Sequence, residues 1–230
     1  MKARLFSGAA VLLAVLGASA QTTTSRIPFV RAMGTGTVSI QPDQATLDLS
    51  VVTQAQTATA ASQQNATLVT SVIGALTSLL GTSGTVKTVS YSLTANYSYP
   101  QNGQPVLVGY TATNTVEANI TNLAIIGQAI DAGIQAGANQ VAGLNFGLQN
   151  DSSARGQALT QATAQAHTNA ASMASGVGMH IGTVQVISEG STVTPSPVGV
   201  AGTATAATTP IVTGNLTVQA TVTLEVSLTP

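Results

Sequence analysis

The chain has 230 residues, no cysteine, and a charged fraction of 6%, far below the ~25% usual for globular proteins. Six basic residues against seven acidic ones leave no positive face for nucleic acid and no polybasic patch for a membrane surface. Without disulfides, stability has to come from an apolar core, which subunit contacts can supplement.

Lys2 and Arg4 open the chain, Leu5 to Leu16 is an apolar run, and Ala18-Ser19-Ala20 is a small-x-small site before Gln21. This is the pattern of a cleavable signal peptide, with an apolar run too short to span a bilayer. Cleavage is expected after Ala20, where no cysteine is present to carry a lipid. The mature protein is expected to be periplasmic or secreted. About 210 residues then remain, read as a single domain over 21–230 with a net charge of −3.

Phe29 to Ile40 reads as a strand containing Gly34 and Gly36, and Pro42-Asp43 as the turn to a partner strand. In that second strand Ala45, Leu47, Leu49 and Val51 alternate with Thr46, Asp48 and Ser50, which is period 2 with one buried face. From about Thr57 to Leu80 the period changes. Leu68, Val69, Val72, Ile73, Leu76, Leu79 and Leu80 recur three and four apart, an amphipathic helix that Gly81 stops. Two long strands follow. Val89, Tyr91, Leu93, Ala95 and Tyr97 share a face of the first, and Val106, Val108, Tyr110, Ala112, Val116 and Ile120 a face of the second. Pro100-Gln101-Asn102-Gly103 is the hairpin turn between them.

A second helix is expected from about Asn122 to Ala136, capped by Thr121 or Asn122, with Leu123, Ile126, Ile130 and Ile134 inward. A short strand with Ala142, Leu144, Phe146 and Leu148 on one side comes next. Asn150 or Asp151 caps a third helix to about Val177, whose stripe is Leu159, Ala162, Ala166, Ala170, Met173 and Val177. Its alanines imply close packing on a sheet. A strand at about Ile181 to Ser188 leads into a Thr/Pro/Gly/Ala-rich stretch without periodicity, read as a flexible loop at about 190–212. Leu216 to Leu228 then alternates almost without error. One wet and one dry face imply an antiparallel sheet covered on one side. The order ββαββαβαββ is that of an α+β fold, two layers, with helices packed on one face of a largely antiparallel sheet.

With these segments in place, the sequence resembles the bacterial SIMPL-domain family, formerly a domain of unknown function. Gly34-Thr35-Gly36-Thr37-Val38-Ser39-Ile40-Gln41-Pro42-Asp43-Gln44-Ala45 is similar to the family's opening. Tyr91-Ser92-Leu93, Tyr97 and Gly109-Tyr110-Thr111-Ala112-Thr113-Asn114 match its middle. Gly137-Ala138-Asn139, Phe146, Arg155 to Ala158 and Ile187-Ser188-Glu189 match its second half and end. The ordered set covers nearly all of the mature chain. Members are described as periplasmic immunogenic or oxidative-stress-defence proteins, so the resemblance implies an envelope protein of structural or protective role. It brings no catalytic residues. One departure is the third helix, where members often carry Lys or Arg and this chain has Gln161, Gln165, His167, Thr168 and Asn169. A function that needs a charged helix surface is therefore not expected.

The residues themselves offer little chemistry. Nucleophilic catalysis needs a nucleophile, a base and an orienting group, and no cysteine or Gly-x-Ser-x-Gly is present. His167 is read as a solvated helix residue and His180 as a surface turn residue. No spacing for zinc or calcium occurs. Gly176-Val177-Gly178 ends a helix instead of opening one after a strand, so it is a helix stop and not a nucleotide loop. Asp43 is read as a turn residue bonding its own backbone, and Asp151 as a cap. Arg155 is expected to pair with Asp151 one turn back, with an interface or anion contact as the alternative. Of Tyr91, Tyr97, Tyr99 and Tyr110, most are expected in the core, with Tyr99 exposed at the hairpin tip.

No enzyme, metal or cofactor is expected, and no catalytic, cofactor-binding or metal site is assigned. The expected function is an exported envelope protein that assembles with itself, because strand edges lacking Lys and Pro invite pairing. The alternative is a periplasmic small-molecule or peptide binder using the groove between helices and sheet, or the loop at 190–210. Expected partners are further copies of the chain. Other envelope proteins and peripheral membrane association stay open, and nucleic acid is not expected.

Overall fold

The structure, a computed structural model, describes residues 27–101, 103–190, 193–197, 211 and 213–230. The expected leader and its expected cleavage site lie outside the described residues. In chain order the elements are β1 (Phe29–Ile40), β2 (Gln44–Ala55), α1 (Ala58–Leu80), β3 (Gly84–Ser98) and β4 (Val106–Ile120). A 3₁₀ turn at Leu123–Ile125 leads into α2 (Ile126–Ala136) and β5 (Gln140–Gly147). Then come α3 (Ser152–Gly176), β6 (His180–Glu189), β7 (Val193–Pro197) and β8 (Leu216–Thr229). This is the expected α+β order with one addition. The short strand β7 pairs with β8 inside the stretch read as a structureless loop. Residues 198–210 of that stretch lie outside the described residues.

The strands form two antiparallel sheets, ordered β3-β4-β2-β5 and β1-β8-β6, with β7 also on β8. Each sheet carries its helices on one face. The expected β1–β2 hairpin is corrected: β1 pairs with β8, whereas β2 pairs with β4 and β5. Pro42 has no N–H to give a ladder, and Asp43 bonds elsewhere. Its backbone N–H donates to Gly147 O (3.1 Å) and its Oδ1 accepts from the Gln149 N–H (2.6 Å). Residues 41–43 therefore tie one sheet to the end of the other's edge strand, and Asp43 is a clip to residue 149 instead of a self-contained turn.

The first core lies between α1, α2 and the inner face of β2 and β4. Leu47, Leu49, Val51, Val72, Leu76, Val116, Ile120 and Ile126 are fully buried there. Each such side chain contributes roughly 1.5–3 kcal/mol on burial. Thr57 caps α1, its Oγ1 accepting the Ala60 N–H (3.2 Å). Gly81 stops α1 at φ +51°, a conformation costly for other residues. Asn122 caps the 3₁₀ turn through its Oδ1. Ile134, expected inward, is exposed; Gly133 takes the inner position because a Cβ there would run into Leu49.

The second core lies under α3. Its buried stripe is Ala154, Ala158, Ala162, Ala166, Ala170 and Ala174, strictly four apart. The expected stripe through Met173 and Val177 is corrected, since both are exposed. The reason is close approach. A Cβ at Gly34 would lie inside the backbone of Ala162 and Ala166, and one at Gly36 inside that of Ala158. Helix backbone rests on strand backbone, and only alanine fits the contact line. Val222, Leu224 and Val226 of β8 complete this core beside Ala32. The alternation expected for β8 holds from Leu216 through Val226.

Candidate functional site

The β3–β4 hairpin is where the expected burial fails. Both strands have 15 residues, longer than β2 beside them. Their outer half passes the start of α1 and loses its cover. Tyr91 touches only the helix rim, its hydroxyl 3.0 Å from Ser62 Oγ. Tyr97 is 50% and Tyr99 76% exposed, and Leu93, Val106, Leu107 and Val108 are also exposed. Tyr110 alone of the four tyrosines is half-buried. The expectation of mostly core tyrosines is thus corrected. Period 2 gave the tyrosine face of β3, but the shift at Asn96/Tyr97 sets Leu107 instead of Val106 opposite Tyr97, and among the described residues the outer half of that face is left uncovered.

Register shifts sit in this hairpin, between Thr88 and Ser90 and between Asn96 and Tyr97. The first leaves Val89 out of the shared face assigned to it. Such bulges twist a strand and interrupt its pairing edge. At the second, Gly109 takes φ +151°, and a Cβ there would approach Ala55 O to 2.9 Å. A hollow of about 180 Å³ opens beside it, lined by Gln54, Ala55, Gln56, Asn96, Val108, Gly109 and Tyr110. That is below the ~300–1,000 Å³ of ordinary ligand pockets. Between α1 and the sheet, Asn65 is fully buried and its Nδ2 donates to Val51 O (2.8 Å) and Ala112 O (3.1 Å). Sequence reading missed this residue, which sits alone as a polar side chain on the apolar stripe of α1.

The outer face of the same sheet carries the charged cross-strand row Lys87, Glu117, Asp48. Lys87 Nζ lies 2.9 Å from Glu117 Oε1. Among the described residues, Asp48 Oδ1 is shut off from water and has no hydrogen-bond partner. Desolvation, and then the neighbouring Glu117 charge, raise the Asp48 carboxyl above its ordinary value.

The other singled-out residues are dispersed. His167 is exposed in the middle of α3 and His180 is exposed where β6 begins. Nine residues of helix follow His167, roughly 13 Å of rise. Arg155 pairs with Glu189 of β6 (Nη2 to Oε1 2.6 Å) and not with Asp151, which only adds a weaker attraction. Asp151 holds the N-cap position of α3, but Asn150 Oδ1 accepts the Ser152 N–H (2.9 Å). Gly176-Val177-Gly178 ends α3 as expected, with Gly178 at φ +72°. Among the described residues, no group of three His, Asp or Glu side chains converges, and no helix is long and apolar enough to cross a membrane.

What α3 does with its polar residues is unexpected. Gln165 Oε1 accepts the Thr35 N–H (2.6 Å), Gln161 Oε1 accepts the Thr37 N–H (3.2 Å), and Asn169 Nδ2 donates to Met33 O (2.8 Å). The helix thereby covers the outer edge of β1. At Met33, Thr35 and Thr37 the β1 edge is thus occupied, and the edge strand β3, expected to lack Lys, carries Lys87 and a bulge at Val89. A signal was present in the sequence: an amide followed by alanine recurs every fourth residue, at Gln157-Ala158, Gln161-Ala162, Gln165-Ala166 and Asn169-Ala170.

Two helix-backed antiparallel sheets, one contacted along its β1 edge by helix amides and one ending in an exposed hairpin, define a charge-poor α+β protein. The chain belongs to the SIMPL family, described as a protein of unknown function (DUF541), over residues 30–226. It is 29% identical over 164 residues to the 26 kDa periplasmic immunogenic protein of Brucella melitensis, covering 70% of this chain and 66% of that protein. The chain thus spans just under two thirds of that relative's length. It is 26% identical over 182 residues to the uncharacterized protein YggE of Edwardsiella ictaluri, covering 76% and 74% of the two chains. Against YggE of Escherichia coli K12 the identity is 27% over 157 residues, covering 68% and 63%.

Proposed function

We propose that this chain is an exported envelope protein with a structural or protective role, acting through self-assembly and without catalysis. The basic, apolar, small-x-small start of the sequence supports export, as does the periplasmic immunogenic protein among its relatives. The observation that carries assembly is the hairpin surface. Tyr91, Leu93, Tyr97, Tyr99 and Leu107, which faces Tyr97 across the ladder, stand exposed in a chain with few charges to keep it apart from copies of itself. Aromatic residues in such a patch are the usual anchors of protein contacts.

Two measurements test this reading. Mass spectrometry of the exported fraction is expected to give a chain beginning at Gln21; an uncut chain contradicts the leader assignment. Light scattering on the mature protein is expected to give multiples of the monomer mass. Replacing Tyr97 and Leu107 by Ser is expected to return the monomer. A parent protein that stays monomeric at every concentration overturns the assembly reading. A periplasmic small-molecule or peptide binder is the second reading, favoured by a cavity of about 360 Å³ between β2 and α1, lined by Thr53, Gln64, Thr67 and Leu68.

A further inference from the structure

β1 is an edge strand with an uninterrupted register. Its pairing with β8 runs without a shift from Phe29 opposite Ser227 to Ile40 opposite Leu216. The edge strands β3, β5 and β6 all contain register shifts. A long regular edge offers a row of free N–H and C=O groups to another strand. β1 is where such addition would meet least resistance, and it is where α3 places its amides.

The match is geometric. Gln161, Gln165 and Asn169 are four residues apart on a helix, about 6 Å of rise. Their partners Thr37, Thr35 and Met33 are two apart on a strand, about 6.6 Å. Helix and strand repeats therefore stay in step for three contacts. Ala162 and Ala166 sit one residue further along, on the backbone of Gly34. The glycine–alanine contact brings the helix close enough, and the amides reach the edge that a further strand would occupy. Gln165 Oε1 also accepts from Thr35 Oγ1 (3.1 Å), which holds it in place.

We propose that α3 is a built-in strand guard: its amide row occupies the β1 edge and blocks strand addition there by a second copy of the chain. The block is autoinhibitory towards one route of sheet growth. It stands independently of assembly through the hairpin, which uses a different surface.

Amide exchange measured by NMR on the mature protein tests the contacts. Thr35 and Thr37 N–H groups are expected to be protected although their side chains are exposed. In Gln161→Ala/Gln165→Ala their exchange is expected to accelerate about tenfold or more, equivalent to at least ~1.4 kcal/mol. Gly34 and Gly36, whose amides point to β8, are expected to keep their rates. Alanine is the better helix former, so α3 persists in the variant. Sedimentation velocity tests the guard. Gln161→Ala/Gln165→Ala/Asn169→Ala is expected to sediment as larger species than the parent at equal concentration. Adding Thr37→Pro, which removes an edge donor, is expected to cancel that gain. Unprotected Thr35 and Thr37 amides in the parent overturn the proposal, as does a folded triple variant that sediments like its parent.

Discussion

The β1–β8–β6 sheet and the β3–β4 hairpin are built from similar residues and treat their exposed surfaces in opposite ways. In the first, α3 lies so close that glycine faces alanine, and its amides close the outer strand edge. In the second, the strands outrun their helix and leave tyrosine, leucine and valine bare. The lesson is that an alternating pattern specifies a strand's two faces but not their fate. Cover depends on how far the opposing helix reaches. Edge safety depends on bulges or on a side chain that can stand in for a strand.

The comparison predicts unequal sensitivity. Gly36→Val should cost about 3 kcal/mol or more, because the side chain has no room against the α3 backbone and the helix must move. Urea unfolding measures it, and a cost below ~1 kcal/mol would show that α3 is not packed as described. Asn65→Ala should cost about 2 kcal/mol, since it leaves the Val51 and Ala112 carbonyls without their buried donor. An unchanged midpoint would sink that assignment.

Asp48 gives a pH-dependent effect. Its folded-state carboxyl is raised above the ordinary 3.8, so the folded state binds that proton more readily than the unfolded chain. The resulting stabilisation is complete below the ordinary value and is lost as pH rises through the raised one. Asp48→Asn should therefore raise the urea midpoint at neutral pH, with the gain fading as pH falls into the ordinary carboxylate range. A gain that grew on acidification would contradict it. The smallest effect falls on the hairpin, where Tyr97→Ser should change stability by no more than about 0.5 kcal/mol, as expected for an uncovered site. A loss of several kcal/mol would mean that the tyrosine is part of the core after all.

What was legible in the sequence follows the range of the interactions. Thr57, Gly81, Asn122 and Gly178 act within a turn of their own position, and each was readable from local chemistry. The alternation of β8 was readable because one partner helix covers it throughout. The division into two sheets was not, since β1 finds its partner almost the whole chain away. Arg155 had an acceptable neighbour four residues back, yet the chain brings Glu189 closer. For the candidate surface, sequence reading found the tyrosines but put most of them inside. The α3 amides depart from the family's charged helix, and their four-residue repeat with alanine takes on meaning only once β1 lies beneath the helix. Family membership was legible from the ordered motifs, and Gly34 and Gly36 now have a physical role in the first of them.

The most direct test of the contrast between the closed sheet and the open hairpin is sedimentation velocity of the mature chain across a concentration series, beside Tyr97→Ser/Leu107→Ser. The account predicts assemblies that grow with concentration in the parent and a monomer in the variant. A parent that sediments as one monomer throughout, or a folded variant that assembles as the parent does, would contradict it.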